Sequence, residues 1–377
     1  MIRLVRGQSS DPLILGIPLV LLSMGVTIIY SLTSDQVGFT LWQRQIVFVL
    51  VGAILGVLLW LIDYRSVVAG HWWLYGVSIA LLIATLVVGT EVFGAKSWID
   101  LGFFTFQAGE FAKLALIVSG SALLFGSRER YVPLQSLLLF IVAAFGVIGL
   151  ILLQPDFGTT TVHVVITTVF LLVAPLRLYQ RICFVLVVAL ALGIGALAYA
   201  NVTPFGGLMR DYQRNRITNF LTTDGDRQTN YNVDQAVIAI GSGGMLGQGI
   251  GFGTQSQLNF LPVVHSDFIA AAIGEAWGFA GISLLIALIT ILCWRLVVLI
   301  ERVRDPVARG IILGVAVLIL YQSLVSIGMN IRIMPVTGIP LPFVSSGGTA
   351  VVTYLAMIGL ILSINTRATV DREPQSW

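Results

Sequence analysis

Residues 133–153, PLQSLLLFIVAAFGVIGLILL, are followed by QPDFGT at 154–159 and then by a second apolar run ending VVITTVFLLVAPL at 176. A helix of about 20 apolar residues crosses the hydrocarbon of a bilayer. Within that hydrocarbon a segment must satisfy its own backbone polar groups, which a helix does. The runs 133–153 and 158–176 therefore read as consecutive membrane-spanning helices. So short a connection forces them antiparallel, with Gln154, Pro155 and Asp156 turning the chain at one membrane face.

The same pattern extends outward in both directions. Apolar runs at 13–32, 45–62, 71–89 and 109–126 precede the pair, and runs at 182–200, 275–300, 307–329 and 347–366 follow it. The expectation is an all-α integral membrane protein of about ten transmembrane helices, with 1–377 forming one polytopic domain. The run 268–300 is too long for one upright helix, so its first part is expected to be a separate short or tilted element. Composition agrees, since 57% of residues are hydrophobic and only 10% charged, against about a quarter charged in soluble domains. The net charge is +3 and the basic residues are scattered, which argues against a nucleic-acid partner. Cys183 and Cys293 stand in separate apolar runs and read as small buried hydrophobes. Arg3 and Arg6 precede a stretch too long for the core of a cleaved signal, so it reads as a retained first span.

Arginine and lysine favour cytoplasmic loops. With alternating spans, Arg65, Arg128, Arg130, Arg177, Arg181, Arg302, Arg304 and Arg309 fall on one side, and both termini join them there. That side reads as cytoplasmic. The opposite side carries Glu91, Asp100, Asp156, Asp234 and Asp267, and also the longest polar segment, 201–266, an expected extracytoplasmic loop between spans seven and eight. Loops of that length are uncommon unless functional or disordered. Inside it, Ile217, Phe220 and Leu221 have the spacing of a helix lying on the membrane surface.

Several polar residues stand where chemistry is affordable. Glu110 and Lys113 open the fourth run three residues apart, on one helix face. Charges at membrane depth need a partner or water, so they read either as a mutually neutralised pair or as a polar cavity wall. Asp156 suits the N-cap of the next helix or a site at the membrane face. His163 reads as a hydrogen-bonded core residue and His71 as interfacial. In LNFLPVVHSDF (258–268), Asp267 stands where polar loop meets apolar run, two residues after His265. A partly desolvated carboxylate there gains basicity useful to a general base; an ordinary helix start is the alternative. Glu275 would share a helix face with Asp267 if 267–275 were helical. His265 and Asp267 lack metal-ligand spacing, and no fixed protein-held metal is expected. Glycines 241–253 allow close backbone approach, without the Gly-Lys-Ser/Thr of a phosphate loop. PVTGIPLP at 335–342 is incompatible with regular helix and reads as a cavity-lining or re-entrant loop.

Taken in order, GAKSWIDLG (94–102), QAGEFAK (107–113), QPDFGT (154–159), IAIGSGG (238–244), GTQSQLNFLPVVHSDF (253–268) and PVTGIPLPFVSSGG (335–348) resemble motifs of the SEDS family (shape, elongation, division and sporulation), in its RodA-like form. The resemblance covers nearly the whole chain. It implies a peptidoglycan glycosyltransferase of the bacterial plasma (inner) membrane that polymerises lipid II, an undecaprenyl-diphosphate-linked disaccharide peptide, by inverting transfer during cell-wall elongation. It also implies a class B penicillin-binding protein as transpeptidase partner. Asp267 matches the family's essential carboxylate, and Glu110, Lys113, Trp98 and Asp156 match other functional positions. Gln235, Ser242 and Ser345 fall within its loop motifs. Lys96, Lys113, Arg210 and Arg216 are candidates to offset the diphosphate charge, and a divalent cation such as Mg2+ or Mn2+ would serve the same end. The chain departs from the family's habit at Ser97 (usually Arg), Ala108-Gly109 (Pro-Ser), Val263 (Glu), Ser266 (Thr) and Ser346 (Tyr). Buried charges and broken helices would equally serve a flippase or transporter of lipid-linked precursor, and a scaffold for a transpeptidase is a third class.

Overall fold

The computed structural model describes residues 11–33, 40–92, 95–102, 104–202, 218, 227–258, 260–261 and 263–368. In chain order the elements are α1 (Pro12–Thr33), α2 (Leu41–Leu61), α3 (Tyr64–Ala69), α4 (His71–Val88), β1 (Thr90–Val92), β2 (Ala95–Asp100), β3 (Thr105–Gln107), α5 (Ala108–Phe125), α6 (Leu134–Leu153), α7 (Phe157–Val173), α8 (Leu178–Tyr199), α9 (Arg227–Ser242), α10 (Thr254–Gln257), α11 (Ile269–Arg302), α12 (Pro306–Asn330) and α13 (Gly348–Ala368). Among the described residues, eight helices are long and apolar enough to cross a membrane, and α7 and the Leu178–Leu190 part of α8 are shorter apolar stretches. They coincide with the ten expected spans. The all-α expectation needs one amendment, an antiparallel sheet in the order β1-β2-β3 between α4 and α5.

Burial sorts the helices into layers. α5 and α13 are buried along almost their whole length, whereas α2 and α4 turn Ile54, Leu61 and Val87 outward, as lipid-facing helices do. α2 and α13 approach closely because Gly52 and Gly56 on α2 form a small-xxx-small face. A Cβ on Gly359 of α13 would lie 2.1 Å from the Gly56 carbonyl oxygen. Bulk at that crossing has nowhere to go.

The long run beginning at 268 is indeed two pieces. Helix α11 breaks at Gly278, where φ is 62° and ψ −158°, values that favour glycine. The break leaves backbone groups at membrane depth that need partners, and the glycine-rich turn after α9 supplies them. Phe279 and Ala280 N–H donate to the carbonyls of Gly244 (2.8 Å) and Met245 (3.1 Å), while Gln248 and Gly249 N–H donate to those of Glu275 (2.9 Å) and Ala276 (3.0 Å). Gly243 and Gly247 allow this contact, since a Cβ on either would fall within 2.2 Å of α11 backbone oxygen. The glycines of 241–253 therefore serve tight turning against a neighbouring helix. Helices α9 and α10 also occupy part of the expected loop 201–266. Ile217, Phe220 and Leu221, together with Arg210 and Arg216, lie outside the described residues.

Candidate active site

The ends of α1, α4, α6, α8 and α12 and the starts of α2, α5, α7, α11 and α13 share one end of the bundle with the sheet and the 331–347 segment. Asp267 sits there, half-buried, one residue ahead of the α11 N-cap Phe268. Its backbone is held unusually well. The carbonyls of His265, Ser266 and Asp267 accept in turn from Ser346 N–H (2.9 Å), Ser345 Oγ (2.6 Å) and Asn330 Nδ2 (3.0 Å). The carboxylate accepts from Ser266 Oγ at 2.8 Å. Its Oδ2 lies 3.5 Å from where a Gly338 Cβ would stand, and Gly338 has a φ of 69°. The proline-rich loop thus supports and faces the carboxylate, with no helix in 331–347. Ser345 is buried, and its Oγ also accepts from Leu341 N–H at 2.9 Å within its own loop.

The same loop reaches Asp156. Gly158, in the first turn of α7, packs on the carbonyl of Thr337 so closely that a Cβ would lie 2.6 Å away. Asp156 caps α7, accepting from Thr159 N–H at 2.9 Å and Thr159 Oγ1 at 2.9 Å. It also accepts from Gln107 Nε2 at 3.0 Å. Gln107 N–H in turn donates to Thr349 Oγ1 at 3.2 Å. Thr349 lines an apolar cavity of about 480 Å³ between α2, α4, α5, α13 and the sheet, together with Arg44, Phe48, Leu55, Phe104 and Phe106. Hydrogen bonds therefore link the cavity's edge to Asp156, and the 331–347 loop packs against both α7 and Asp267.

A family profile described as a cell cycle protein of the FtsW, RodA and SpoVE type matches residues 12–370. The chain belongs to this family. It is 35% identical over 358 residues to the peptidoglycan glycosyltransferase MrdB of Escherichia coli K12, covering 94% of this chain and 93% of that one. It is 30% identical to the peptidoglycan glycosyltransferase RodA of Treponema pallidum, covering 96% and 99%. Among solved structures it resembles a chain from a peptidoglycan synthase complex in which polymerization and crosslinking are coordinated, with a TM-score of 0.77, 29% identity and coverage of 95% and 98%. It also resembles the Thermus thermophilus rod shape determining protein RodA, with a TM-score of 0.67, 28% identity and coverage of 94% and 96%.

In this FtsW/RodA/SpoVE member the other expected site residues take distinct places. Glu110 and Lys113 pair at 2.5 Å and are each 1% exposed, the arrangement of a mutually neutralised pair, the first of the two readings of these residues. Opposite charges in contact can be buried where a single one could not. Lys96, a candidate for the diphosphate, instead donates from Nζ to the carbonyls of Leu86 (2.8 Å) and Val87 (3.2 Å) at the end of α4. Trp98, half-buried in β2, stands opposite Gln107 of β3 and Thr90 of β1. Gln235 is half-buried on α9, and Ser242 is exposed and bonds back to the Ala239 carbonyl at 2.9 Å. His265 is half-buried, and desolvation lowers its pKa below the ordinary histidine value.

Glu275 departs from expectation. The chain turns through 263–268, so no common helix face links it to Asp267. Fully buried, it accepts instead from the first-turn N–H groups of α10, Gln255 at 2.7 Å and Ser256 at 3.0 Å. Among the described residues, no three of His, Cys, Asp and Glu come together to hold a metal. Arg44, at the cavity, and Asn330, below Asp267, escaped the reading of the sequence. Arg44 had a signal, a lone cation ahead of an apolar run; Asn330 had none.

Proposed function

We propose that this chain is a peptidoglycan glycosyltransferase that polymerises lipid II by inverting transfer, with Asp267 as general base. One observation carries the reading. A carboxylate on a triply anchored backbone stands at the loop-rich end of the bundle, on which an apolar cavity suited to a polyprenyl chain also borders. The cavity takes the apolar tail of the donor, and Arg44 at its lining meets the diphosphate. Asp267 removes the proton of the acceptor's 4-hydroxyl as that oxygen attacks the donor's anomeric carbon. The bond from that carbon to the diphosphate breaks, undecaprenyl diphosphate departs, and an α-linked donor gives a β-linked glycan. A second carboxylate nucleophile is unnecessary. A divalent cation, Mg2+ or Mn2+, arriving with the diphosphate would share its charge, with Arg210 and Arg216 as further cations.

The arginine bias supports placing both termini in the cytoplasm of a bacterial inner membrane, which puts Asp267 at the outer face. The partner would be a crosslinking enzyme of the class B penicillin-binding type. That reading draws on the resemblance to a chain from a synthase complex.

The test is conversion of lipid II to glycan strands by purified protein in detergent, where no membrane sides exist to transport between. Polymer is expected, and its absence from folded protein would favour the flippase reading. Asp267→Asn keeps the shape and removes the basicity. Since general-base catalysis contributes about 10²–10⁴-fold, this variant should fold, bind lipid II and turn over at least about a hundredfold more slowly. A folded variant with near-normal turnover would remove Asp267 from the base role.

A further inference from the structure

Asn330 is the last residue of α12 and is fully buried. Both ends of its amide are engaged. Nδ2 donates to the Asp267 carbonyl at 3.0 Å and to the Ser326 carbonyl at 2.7 Å, and Oδ1 accepts from Ala271 N–H at 3.0 Å. Two carbonyls on one side and an N–H on the other leave only one way round for the amide. We propose that Asn330 is a positioning residue for Asp267, setting the direction of its carboxylate from beneath.

Asp267 precedes α11, and its N–H donates to the Val263 carbonyl at 3.2 Å, but that bond within the 263–267 turn does not tie it to the rest of the bundle. Three of its surroundings do, and two of them, Ser345 and Ser346, belong to the 331–347 loop and hold His265 and Ser266. Asn330 alone among these three reaches the carbonyl of Asp267 itself, and it does so from a membrane-spanning helix. By also holding Ala271, it fixes the Asp267 peptide relative to the first turn of α11. That peptide determines whether the carboxylate points toward Gly338. Freed, it would turn by a fraction of an ångström to an ångström, a displacement that costs up to about a hundredfold when it misaligns a reacting group.

The inference rests on Asp267 as general base, and the experiment separates the two. Steady-state kinetics on purified lipid II would compare Asn330→Ala, Asn330→Asp and Asp267→Asn, each scaled to folded protein by monodispersity and thermal melting. Asn330→Asp can still accept from Ala271 but cannot donate to the Asp267 carbonyl. Both Asn330 variants are expected to lose about tenfold to a hundredfold in kcat, with KM for lipid II within about threefold of the parent, because tail and headgroup contacts lie elsewhere. Near-parental kcat in a folded Asn330→Ala, or a loss confined to KM, overturns the positioning role. So does failure of both variants to fold, which would make Asn330 structural only. An active Asp267→Asn would sink the general-base reading instead, whatever the Asn330 variants do.

Discussion

The side-chain amide of Gln107 donates to the carboxylate of Asp156 at 3.0 Å, tying the end of β3 to the cap of α7. Asp156 already accepts from the backbone and hydroxyl of Thr159, so its oxygens are occupied by structural donors. A charge is not required for such a role, because an asparagine still accepts the Thr159 N–H and Gln107 can flip its amide to accept from the new Nδ2. Asp156→Asn should therefore keep at least about a third of parental turnover, whereas Asp156→Ala should lose about 0.5–2 kcal/mol of stability with the cap. Thermal melting and lipid II turnover of the two variants check this. An inactive but fully stable Asp156→Asn would give the carboxylate a direct part in the chemistry.

Glu110 and Lys113 are a buried pair whose members neutralise each other. Removing one partner of such a pair costs about 3–5 kcal/mol, while replacing both with neutral groups of similar shape is often tolerated. Lys113→Ala should lower the melting temperature and yield of the purified protein. Glu110→Gln combined with Lys113→Met should restore much of both. If the single variant melts like the parent and only turnover falls, the pair acts on substrate and not on the fold.

The spans were legible because a run of apolar residues is a strong signal at bilayer length. The second was read as 45–62, yet α2 starts at Leu41. Gln43, Arg44 and Gln45 dilute its first turn, although Gln45 is buried and donates to the Ser345 carbonyl at 3.2 Å. The strands have three, six and three residues, too short for alternation to show. Asp267 was legible as a carboxylate at a polar–apolar boundary. Its support was not, because Asn330 is an uncharged amide at the end of an apolar run, and it acquires meaning only when folding brings it to a residue 63 positions away. For Glu275, spacing of eight from Asp267 gives a common face only if the helix has already begun, and α11 begins at Ile269.

His265 gives a pH dependence whose sign follows from its environment. Burial lowers its folded-state pKa, whereas the unfolded chain titrates near about 6.5. Above that pH both states hold it neutral and it contributes no slope. As pH falls through about 6.5 the unfolded state takes up a proton that the folded state resists, so stability falls with pH until the folded pKa is reached. The melting temperature should drop between about pH 7.5 and 5.5 more steeply in the parent than in His265→Gln. Parallel curves would mean that His265 is not held neutral by the fold.

The arginine bias makes a prediction that the geometry of the bundle sharpens. Asp100 is exposed at the end of β2, at the loop-rich end with Asp267. Arg304 is exposed in the turn between α11 and α12, at the opposite end. One membrane lies between them, so a single orientation decides both. In a background carrying Cys183→Ser and Cys293→Ser, Asp100→Cys should react with a membrane-impermeant thiol reagent in intact spheroplasts. Arg304→Cys should react only after permeabilisation. This outcome places both chain ends inside and Asp267 at the face where a lipid-linked precursor presents its sugar after crossing the membrane. The reverse pattern would put the carboxylate in the cytoplasm, where polymerising exported glycan would be impossible, and the proposed reaction would fall with the topology.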